Sequence, residues 1–278
     1  MKKCIVSSSW LFFLFFALFN SSQLEAQEIG LQLYSLRKQF KKDVPGTLKM
    51  ISDWGISFVE GGDSYGMPVD DFKDLLKKNN LKVVSIGASF EELRDNPKVV
   101  VERAKTYGAT YVMCARIPHS GNKFGLEETK NAVTVFNAAG KVLMADGLQL
   151  AYHPHGYEFR PYKAGTLFDY MAKNAVDFKF EMDVYWVQHA GEDPLQLLRK
   201  YPQKFVLMHL KDMQKGTPKA NTGSANVDTN VVLGTGEVAI AALVAEAKKL
   251  GLPYLFIEDE SSRVIDQIPK SLKYLKGL

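Results

Sequence analysis

Two histidines flank a proline in the stretch AYHPHGYEF, residues 151–159, and a glutamate follows three residues after the second one. Neutral imidazoles and carboxylates bind divalent metals, and both can accept a proton during catalysis. His153, His155 and Glu158 are therefore candidates for a metal or proton-transfer site. The alternative is a plain polar end to a buried strand, with the histidines hydrogen-bonded to neighbouring carboxylates.

Comparable side chains end other apolar runs of the chain. They are Glu60; Asp183; His209, Lys211 and Asp212; and Glu258, Asp259 and Glu260. Each has a simpler interpretation when it is taken singly: Asp183 as a helix N-cap, His209 as a buried structural histidine, and Glu258 as a solvated carboxylate. Their chemistry becomes informative only if the fold brings them together.

The pattern of the whole chain predicts such a fold. Strand-like runs alternate with stretches that have the helical spacing of apolar residues. The runs are residues 29–36, 57–62, 82–89, 110–118, 148–155, 178–184, 205–212 and 254–260. Eight successive βα units without a linker favour a single α/β domain, a (β/α)8 TIM barrel over residues 27–278, with the polar stretch 215–230 as a loop inserted after strand seven.

In such a barrel the carboxyl ends of all strands meet at one mouth, where active sites lie. Carboxylates and a histidine from strands five to eight would then form a mixed oxygen and nitrogen shell for one divalent ion, with Mn²⁺, Co²⁺, Zn²⁺ and Mg²⁺ all suitable. Such an ion can hold sugar oxygens and stabilise an enediolate after a proton leaves the carbon next to a carbonyl. The sequence thus predicts a metal-dependent enzyme for a small carbohydrate substrate.

The N-terminal segment is set apart from the barrel. Lys2 and Lys3 precede the apolar run WLFFLFFALF and the polar stretch NSSQLEAQ, which is the layout of a secretory signal peptide. The run is too short for a typical membrane-spanning helix, so we expect residues 1–26 to be removed and no stable membrane insertion. The mature protein is predicted to be exported to the periplasm, with Cys114 as its single thiol.

Composition excludes some other classes of protein. Hydrophobic residues make up 46% of the 278 residues, enough for a large core, and the formal net charge is only +4. The lysines are spread along the chain and form no basic patch, which argues against a nucleic-acid partner. The sequence does not fix the oligomeric state, so a homo-oligomer stays open.

Six motifs together resemble the sugar phosphate isomerase/epimerase family, a group of xylose-isomerase-like barrels. In chain order they are LQLYSLR, FVEGG, AYHPHGYEF, MDVYWVQHAGEDP, MHLKDM and FIEDE, which cover the chain from residue 31 to residue 260. The resemblance implies a TIM barrel and a metal-dependent sugar isomerase or epimerase. It does not specify the sugar.

The resemblance also implies roles for individual residues. It places metal ligands at Asp183, His209 and Glu258. The family's sugar epimerases carry a glutamate within strand five, where this chain has histidines; we assign Glu158 as the fourth ligand, with His155 as the other candidate.

A histidine-rich strand five also changes the predicted mechanism, because the epimerases use two metal-bound glutamates as acid and base. Here His153 or His155 is the predicted base, and Lys211 the acid or the group that stabilises an oxyanion. On this assignment His153→Ala would slow turnover and leave the metal bound. Glu60 is predicted to contact substrate hydroxyls or to form a salt bridge, and Tyr34 and Trp186 to flank a sugar ring or to pack in the core.

Three functions are consistent with these residues. The first is isomerisation or epimerisation of a small carbohydrate. The second is a lyase, dehydratase or hydrolase acting on keto-sugars or 3-keto-glycosides, which export favours slightly. The third is a non-catalytic carbohydrate-binding barrel, which would have no need for a metal and a base. A DNA-repair activity of the endonuclease IV type would need more histidine ligands than the five histidines of this chain provide.

Overall fold

The predicted barrel is confirmed by the computed structural model, which describes Met1 and residues 27–278. Eight parallel strands, labelled here β1–β8 in chain order, close into a barrel with each strand beside its sequence neighbours and β8 beside β1. The strands are β1 Glu28–Gln32, β2 Phe58–Gly61, β3 Lys82–Gly87, β4 Tyr111–Cys114, β5 Gln149–Tyr152, β6 Lys179–Asp183, β7 Phe205–Leu210 and β8 Tyr254–Ile257. The predicted signal peptide, residues 1–26, lies outside the described residues apart from Met1.

Helices surround this barrel in the order expected for successive βα units. They are α1 Arg37–Phe40, α2 Val44–Asp53, α3 Val69–Lys78, α4 Phe90–Asp95, α5 Pro97–Tyr107, α6 Leu126–Ala145, α7 Leu167–Asn174, α8 Val184–His189, α9 Pro194–Lys200, α10 Ile240–Lys249 and α11 Val264–Leu275. Their apolar faces pack against the outer face of the strands and form the main core. Among residues 27–278, no helix combines the length and the apolar character needed to cross a bilayer.

Strand β6 shows how the alternation of side chains divides the core from the site. Phe180 points outward and packs against Phe168 of α7, with 4.8 Å between the ring centroids. Glu181 and Asp183 occupy the alternate positions and are fully buried. Because successive side chains of a strand point to opposite faces, both carboxylates belong to the lumen side of β6.

An apolar floor closes the lumen beneath the polar residues. Val84, Ala151, Leu207 and Phe256 form a small buried cluster that is separate from the main core. The Phe256 ring lies 6.1 Å from the imidazole of His209, measured between centroids. A packed apolar layer therefore lies inside the barrel beneath the polar residues of its mouth.

The loop after β7 is longer than the other connections and is firmly anchored. Its two short strands, Asp212–Met213 and Asn230–Val231, pair with each other. One oxygen of Asp212 accepts hydrogen bonds from the backbone N–H groups of Gly234 and Gly236, both at 2.9 Å. The loop predicted for residues 215–230 is thus held at both of its ends by these contacts.

Cys114 ends β4 in the core and is 1% exposed. Burial raises the pKa of its thiol to about 12. At pH 8 only roughly one thiol in 10,000 would be the reactive thiolate. In a Cys4→Ser chain, we expect a thiol reagent such as dithionitrobenzoate to leave the native protein unlabelled over an hour and to label one thiol per chain in guanidinium. Rapid labelling of the native protein would contradict this burial.

Candidate metal centre

Four side chains from neighbouring strand ends meet at the barrel mouth. His153 follows β5, Asp183 ends β6, His209 lies in β7 and Glu258 follows β8. One ligand atom from each lies within 4.8 Å of the other three, and all four residues are buried. The sequence placed three of these residues in the ligand set, and the barrel geometry brings those three together with His153.

Asp183 has two roles that the sequence presented as alternatives. Its Oδ1 accepts a hydrogen bond of 2.9 Å from the backbone N–H of Trp186, so the residue is the N-cap of α8. The other oxygen, Oδ2, is buried without a hydrogen-bond partner in residues 27–278 and lies 3.7 Å from His153 Nε2. The cap therefore fixes the carboxylate in an orientation that leaves one oxygen for a ligand.

His153 lies between two carboxylates of β6. Its Nε2 faces Asp183, and its Nδ1 lies 3.7 Å from Glu181 Oε2. Burial, with a further contribution from His209, lowers the pKa of His153 to about 3. The imidazole is therefore neutral at physiological pH and has one lone pair available for a metal.

His209 faces carboxylates with both of its ring nitrogens. Nδ1 lies 3.3 Å from Glu258 Oε2, and Nε2 lies 2.7 Å from Glu60 Oε1 and 3.2 Å from Glu181 Oε1. Burial alone would lower the pKa of His209, but Glu181 and Glu60 outweigh it and hold that pKa well above its usual value. The ring is thus oriented with Nδ1 toward the four-residue group.

Glu60, Glu181 and His209 form a second group that could hold a metal. The 2.7 Å between His209 Nε2 and Glu60 Oε1 is an ordinary hydrogen-bond length, and Gln32 Nε2 donates to the same oxygen at 2.6 Å. Glu60 therefore contacts His209, as the salt-bridge alternative requires, and it also lines the cavity at the barrel mouth, as the substrate-contact alternative requires. Glu181 was missed by the sequence reasoning, although its alternation with Asp183 was a usable signal.

Lys211 forms ion pairs with Glu258 and Glu260. Its Nζ lies 3.3 Å from Glu258 Oε2 and 2.6 Å from Glu260 Oε2, and it is 1% exposed. Burial would raise the pKa of Glu258, but Lys211 outweighs it and holds that pKa well below its usual value. Although burial opposes its charge, Glu258 and Asp183 raise the pKa of Lys211. The structure thus places Lys211 as an ammonium partner of Glu258.

Glu158 does not join the four-residue group. It is fully buried, and its carboxylate accepts hydrogen bonds from the hydroxyl of Tyr152 and from the backbone N–H groups of His155 and Gly156. Burial raises the pKa of Glu158 to about 7. The chain turns at Gly156, where φ is 113°, and directs Glu158 back toward β5, so His153 occupies the strand-five ligand position that was predicted for Glu158.

His155, the other strand-five candidate, lies on the wall of the cavity above the group. Its ring centroid is 4.7 Å from that of His153 and 5.5 Å from that of Trp186. Its Nδ1 is buried and has no hydrogen-bond partner in the part of the chain that the structure describes. Burial, with His153 as a smaller cause, lowers the pKa of His155 well below its usual value, so the ring is neutral.

The cavity at the mouth has a volume of about 980 Å³. Both predicted substrate-contact residues lie on its wall: Tyr34 is 54% exposed, whereas Trp186 is 7% exposed and also packs in the core. Residues 222–225 and Val227, from the loop after β7, line another part of the wall. A concave site of this size suits a small organic ligand.

The donor set fits a divalent ion. Two imidazole nitrogens and two carboxylate oxygens lie within 4.8 Å of one another, and Asp183 Oδ2 is a buried oxygen with no hydrogen-bond partner among the described residues. Burial of Asp183 without sufficient positive charge raises the pKa of its carboxyl to about 7, which a bound cation would reverse. Mixed nitrogen and oxygen ligands at this spacing match the preferences of Zn²⁺, Mn²⁺ and Co²⁺.

Solved structures with the same fold support this architecture. A sugar phosphate isomerase/epimerase from Parabacteroides distasonis is 24% identical, with a TM-score of 0.74 over 91% of this chain and 98% of its own. A probable 3-DHS dehydratase from Bacillus anthracis is 14% identical, with a TM-score of 0.69 over 90% and 99%. The IolI protein, solved with a zinc atom, is 15% identical, with a TM-score of 0.68 over 90% and 96%.

Sequence comparison gives the family directly. No protein of curated function matches this chain significantly. The model of the xylose isomerase-like TIM barrel family matches residues 48–278, which include β2 to β8 and all four residues of the metal group. The resemblance drawn from the six motifs is confirmed, and the chain belongs to the xylose isomerase-like TIM barrel family.

Proposed function

We propose that this protein is a divalent-metal-dependent isomerase or epimerase that moves a proton next to the carbonyl of a small carbohydrate. The observation that carries the proposal is the meeting of His153, Asp183, His209 and Glu258 directly beneath a cavity whose wall holds the free imidazole of His155. A solved structure with the same fold, that of the IolI protein, holds a zinc atom, and the ligands here suit zinc, manganese, cobalt or magnesium.

A divalent ion held by these four side chains would polarise substrate oxygens and stabilise the negative charge that develops when the proton leaves. The chain itself must supply the base. His155 suits that role because its imidazole is neutral and lies on the cavity wall. Lys211 is engaged by Glu258 and Glu260, so we assign it to holding Glu258 in place.

A second candidate is β-elimination, the reaction of a lyase or dehydratase. Inversion at one carbon needs a proton acceptor and a proton donor on opposite faces of the sugar. In 1,2-isomerisation one base can take the proton and return it on the same face, and in β-elimination one base takes the C–H proton, which leaves with the expelled hydroxide as water. His153 takes the ligand place that the resemblance gives to a catalytic glutamate, which leaves His155 as the free base on this side. The probable dehydratase from Bacillus anthracis shares the fold.

We further propose, from residues 1–26 alone, that the protein acts after export. An exported enzyme meets free sugars and glycosides more often than sugar phosphates. This favours unphosphorylated substrates for either reaction.

Replacing His155 tests the proposed base. We expect His155→Ala to slow the exchange of the substrate C–H proton with D₂O by about 100- to 10,000-fold, the usual contribution of a general base. The measurement is proton NMR of the metal-loaded protein with free ketoses, aldoses and 3-keto-glycosides. The products distinguish isomerisation, epimerisation and elimination.

His119→Ala is the matched control for this experiment. His119 also lines the cavity, but its Nδ1 lies 2.7 Å from the carbonyl oxygen of Ile117 in its own loop. Exchange in this variant should stay within about three-fold of the unaltered protein. If His155→Ala exchanges at the unaltered rate, His155 is not the base. Sugar binding without exchange, unaffected by a chelator, would instead make the protein a carbohydrate-binding module.

A further inference from the structure

One carboxylate lies beneath the metal group and faces both of its histidines. Glu181 Oε2 is 3.7 Å from His153 Nδ1, and Glu181 Oε1 is 3.2 Å from His209 Nε2. Glu181 thus contacts the ring nitrogen of each histidine that points away from the metal group. The opposite nitrogens, His153 Nε2 and His209 Nδ1, face Asp183 and Glu258 of that group. No other carboxylate in residues 27–278 has an ion-pair distance to both rings.

The isolation of Glu181 in the structure needs an explanation. The residue is fully buried, and apart from the 3.2 Å approach of Oε1 to His209 Nε2, a nitrogen that already lies 2.7 Å from Glu60, its oxygens have no hydrogen-bond partner among the described residues. Leaving a buried carboxylate without donors is costly, commonly by several kcal/mol, and one explanation for such a group is an ion that the site holds. Glu181 is not among the residues of the cavity wall.

The histidine nitrogens that face Glu181 would donate hydrogen bonds to its carboxylate when the opposite nitrogens bind a metal. A neutral histidine that gives the lone pair of one nitrogen to a metal carries its proton on the other nitrogen. His153 bound through Nε2 would present Nδ1–H to Glu181, and His209 bound through Nδ1 would present Nε2–H to Glu60 and Glu181. Carboxylates that accept from the second nitrogen of a ligand histidine fix its tautomer and its ring orientation.

We propose that Glu181 is a positioning residue that sets the tautomer and orientation of both metal-binding histidines. His209 has a second support in Glu60, at 2.7 Å, whereas the Nδ1 of His153 has Glu181 alone within ion-pair distance among the described residues. Glu181 is therefore expected to affect metal binding mainly through His153. The inference depends on the metal site of the proposed function and not on the reaction.

The experiment measures metal affinity by competition with a chelator, using Zn²⁺ and Mn²⁺ separately, with no substrate present. We expect Glu181→Gln to bind both metals about 10- to 100-fold more weakly than the unaltered protein, the usual cost of losing such a support. Glu181→Asp keeps the charge but shortens the side chain, and it should also bind more weakly, by at least about five-fold. Circular dichroism melts of the metal-free variants report folding.

Measuring the effect of Glu181→Gln in a His153→Glu variant tests whether Glu181 acts through His153. In His153→Glu the residue at position 153 has no ring nitrogen to be oriented, so adding Glu181→Gln should cost less than about three-fold. An equal cost in both backgrounds would overturn the proposal, because Glu181 would then not act through His153. Unchanged affinity in Glu181→Asp would overturn it too, since charge alone would suffice.

Glu158→Gln is the matched control, because Glu158 is equally buried near β5 but outside the metal group. Its affinity should stay within about three-fold of the unaltered value. A loss as large as that of Glu181→Gln would show that neutralising any buried carboxylate near the site has this effect, and the proposal would fail. If the unaltered protein binds neither metal, the proposed function fails as well, whereas binding that is insensitive to Glu181 refutes this inference alone.

Discussion

Asp183→Ala should abolish stoichiometric binding of a divalent metal, and His153→Ala should weaken that binding by more than about 100-fold, beyond the loss typical of an outer support. Asp183 Oδ2 and His153 Nε2 are 3.7 Å apart and face the same point as His209 and Glu258. Removing either side chain leaves three ligands and a buried gap. Elemental analysis and isothermal titration with Zn²⁺ and Mn²⁺ would measure the loss.

The result for His153 separates two assignments. If His153 is the base predicted from the sequence, His153→Ala would keep its metal and lose only turnover. If it is a ligand, as its place in the group indicates, metal and turnover are lost together. His119→Ala again serves as the control, because His119 lies on the cavity wall away from the ligand group and should retain full metal content.

Gly140→Ala should lower the free energy of unfolding by about 2 kcal/mol or more. Within a helix, alanine is normally favoured over glycine by about 1 kcal/mol. At Gly140 in α6, however, a β-carbon would lie 2.0 Å from the backbone carbonyl oxygen of Asp177. Overpacking of this kind costs about 1–3 kcal/mol or more, and here a backbone atom must move.

The surrounding contacts explain why α6 cannot move away cheaply. Asn137, one turn before Gly140, accepts hydrogen bonds from the backbone N–H groups of Val176 and Asp177 at 2.8 and 3.0 Å. These contacts fix the helix against the turn that leads into β6, the strand that carries Asp183. Chemical denaturation followed by circular dichroism would measure the change.

Gly87→Ala is the control for this prediction. A β-carbon at Gly87 meets no atom of residues 27–278 within 4 Å, and the backbone there is compatible with alanine. Its stability should stay within about 0.5 kcal/mol of the unaltered protein or rise slightly. Equal stability of the Gly140 and Gly87 variants would show that α6 tolerates a shift away from Asp177.

The local pattern of the sequence was sufficient for the architecture. Short β-branched runs alternating with amphipathic stretches predicted eight βα units, and the barrel closes with those eight strands in order. Asp183, His209 and Glu258 were predictable as partners because each ends or follows a strand at the carboxyl edge, where a closed parallel barrel brings strand ends together. The alternation of side chains along β6 also contained the signal for Glu181.

The direction of side chains beyond the strand ends depended on the tertiary structure and was not predictable from the positions of the strand ends. His153, His155 and Glu158 lie within six residues, but β5 ends at Tyr152, and the turn at Gly156 sends only Glu158 back to the Tyr152 hydroxyl. Lys211 could have faced the cavity, yet Glu258 and Glu260 from the next strand hold it in the interior. Strand periodicity sets the face of a side chain inside a strand, whereas beyond the strand end its direction depends on backbone turns and on partners distant in the sequence.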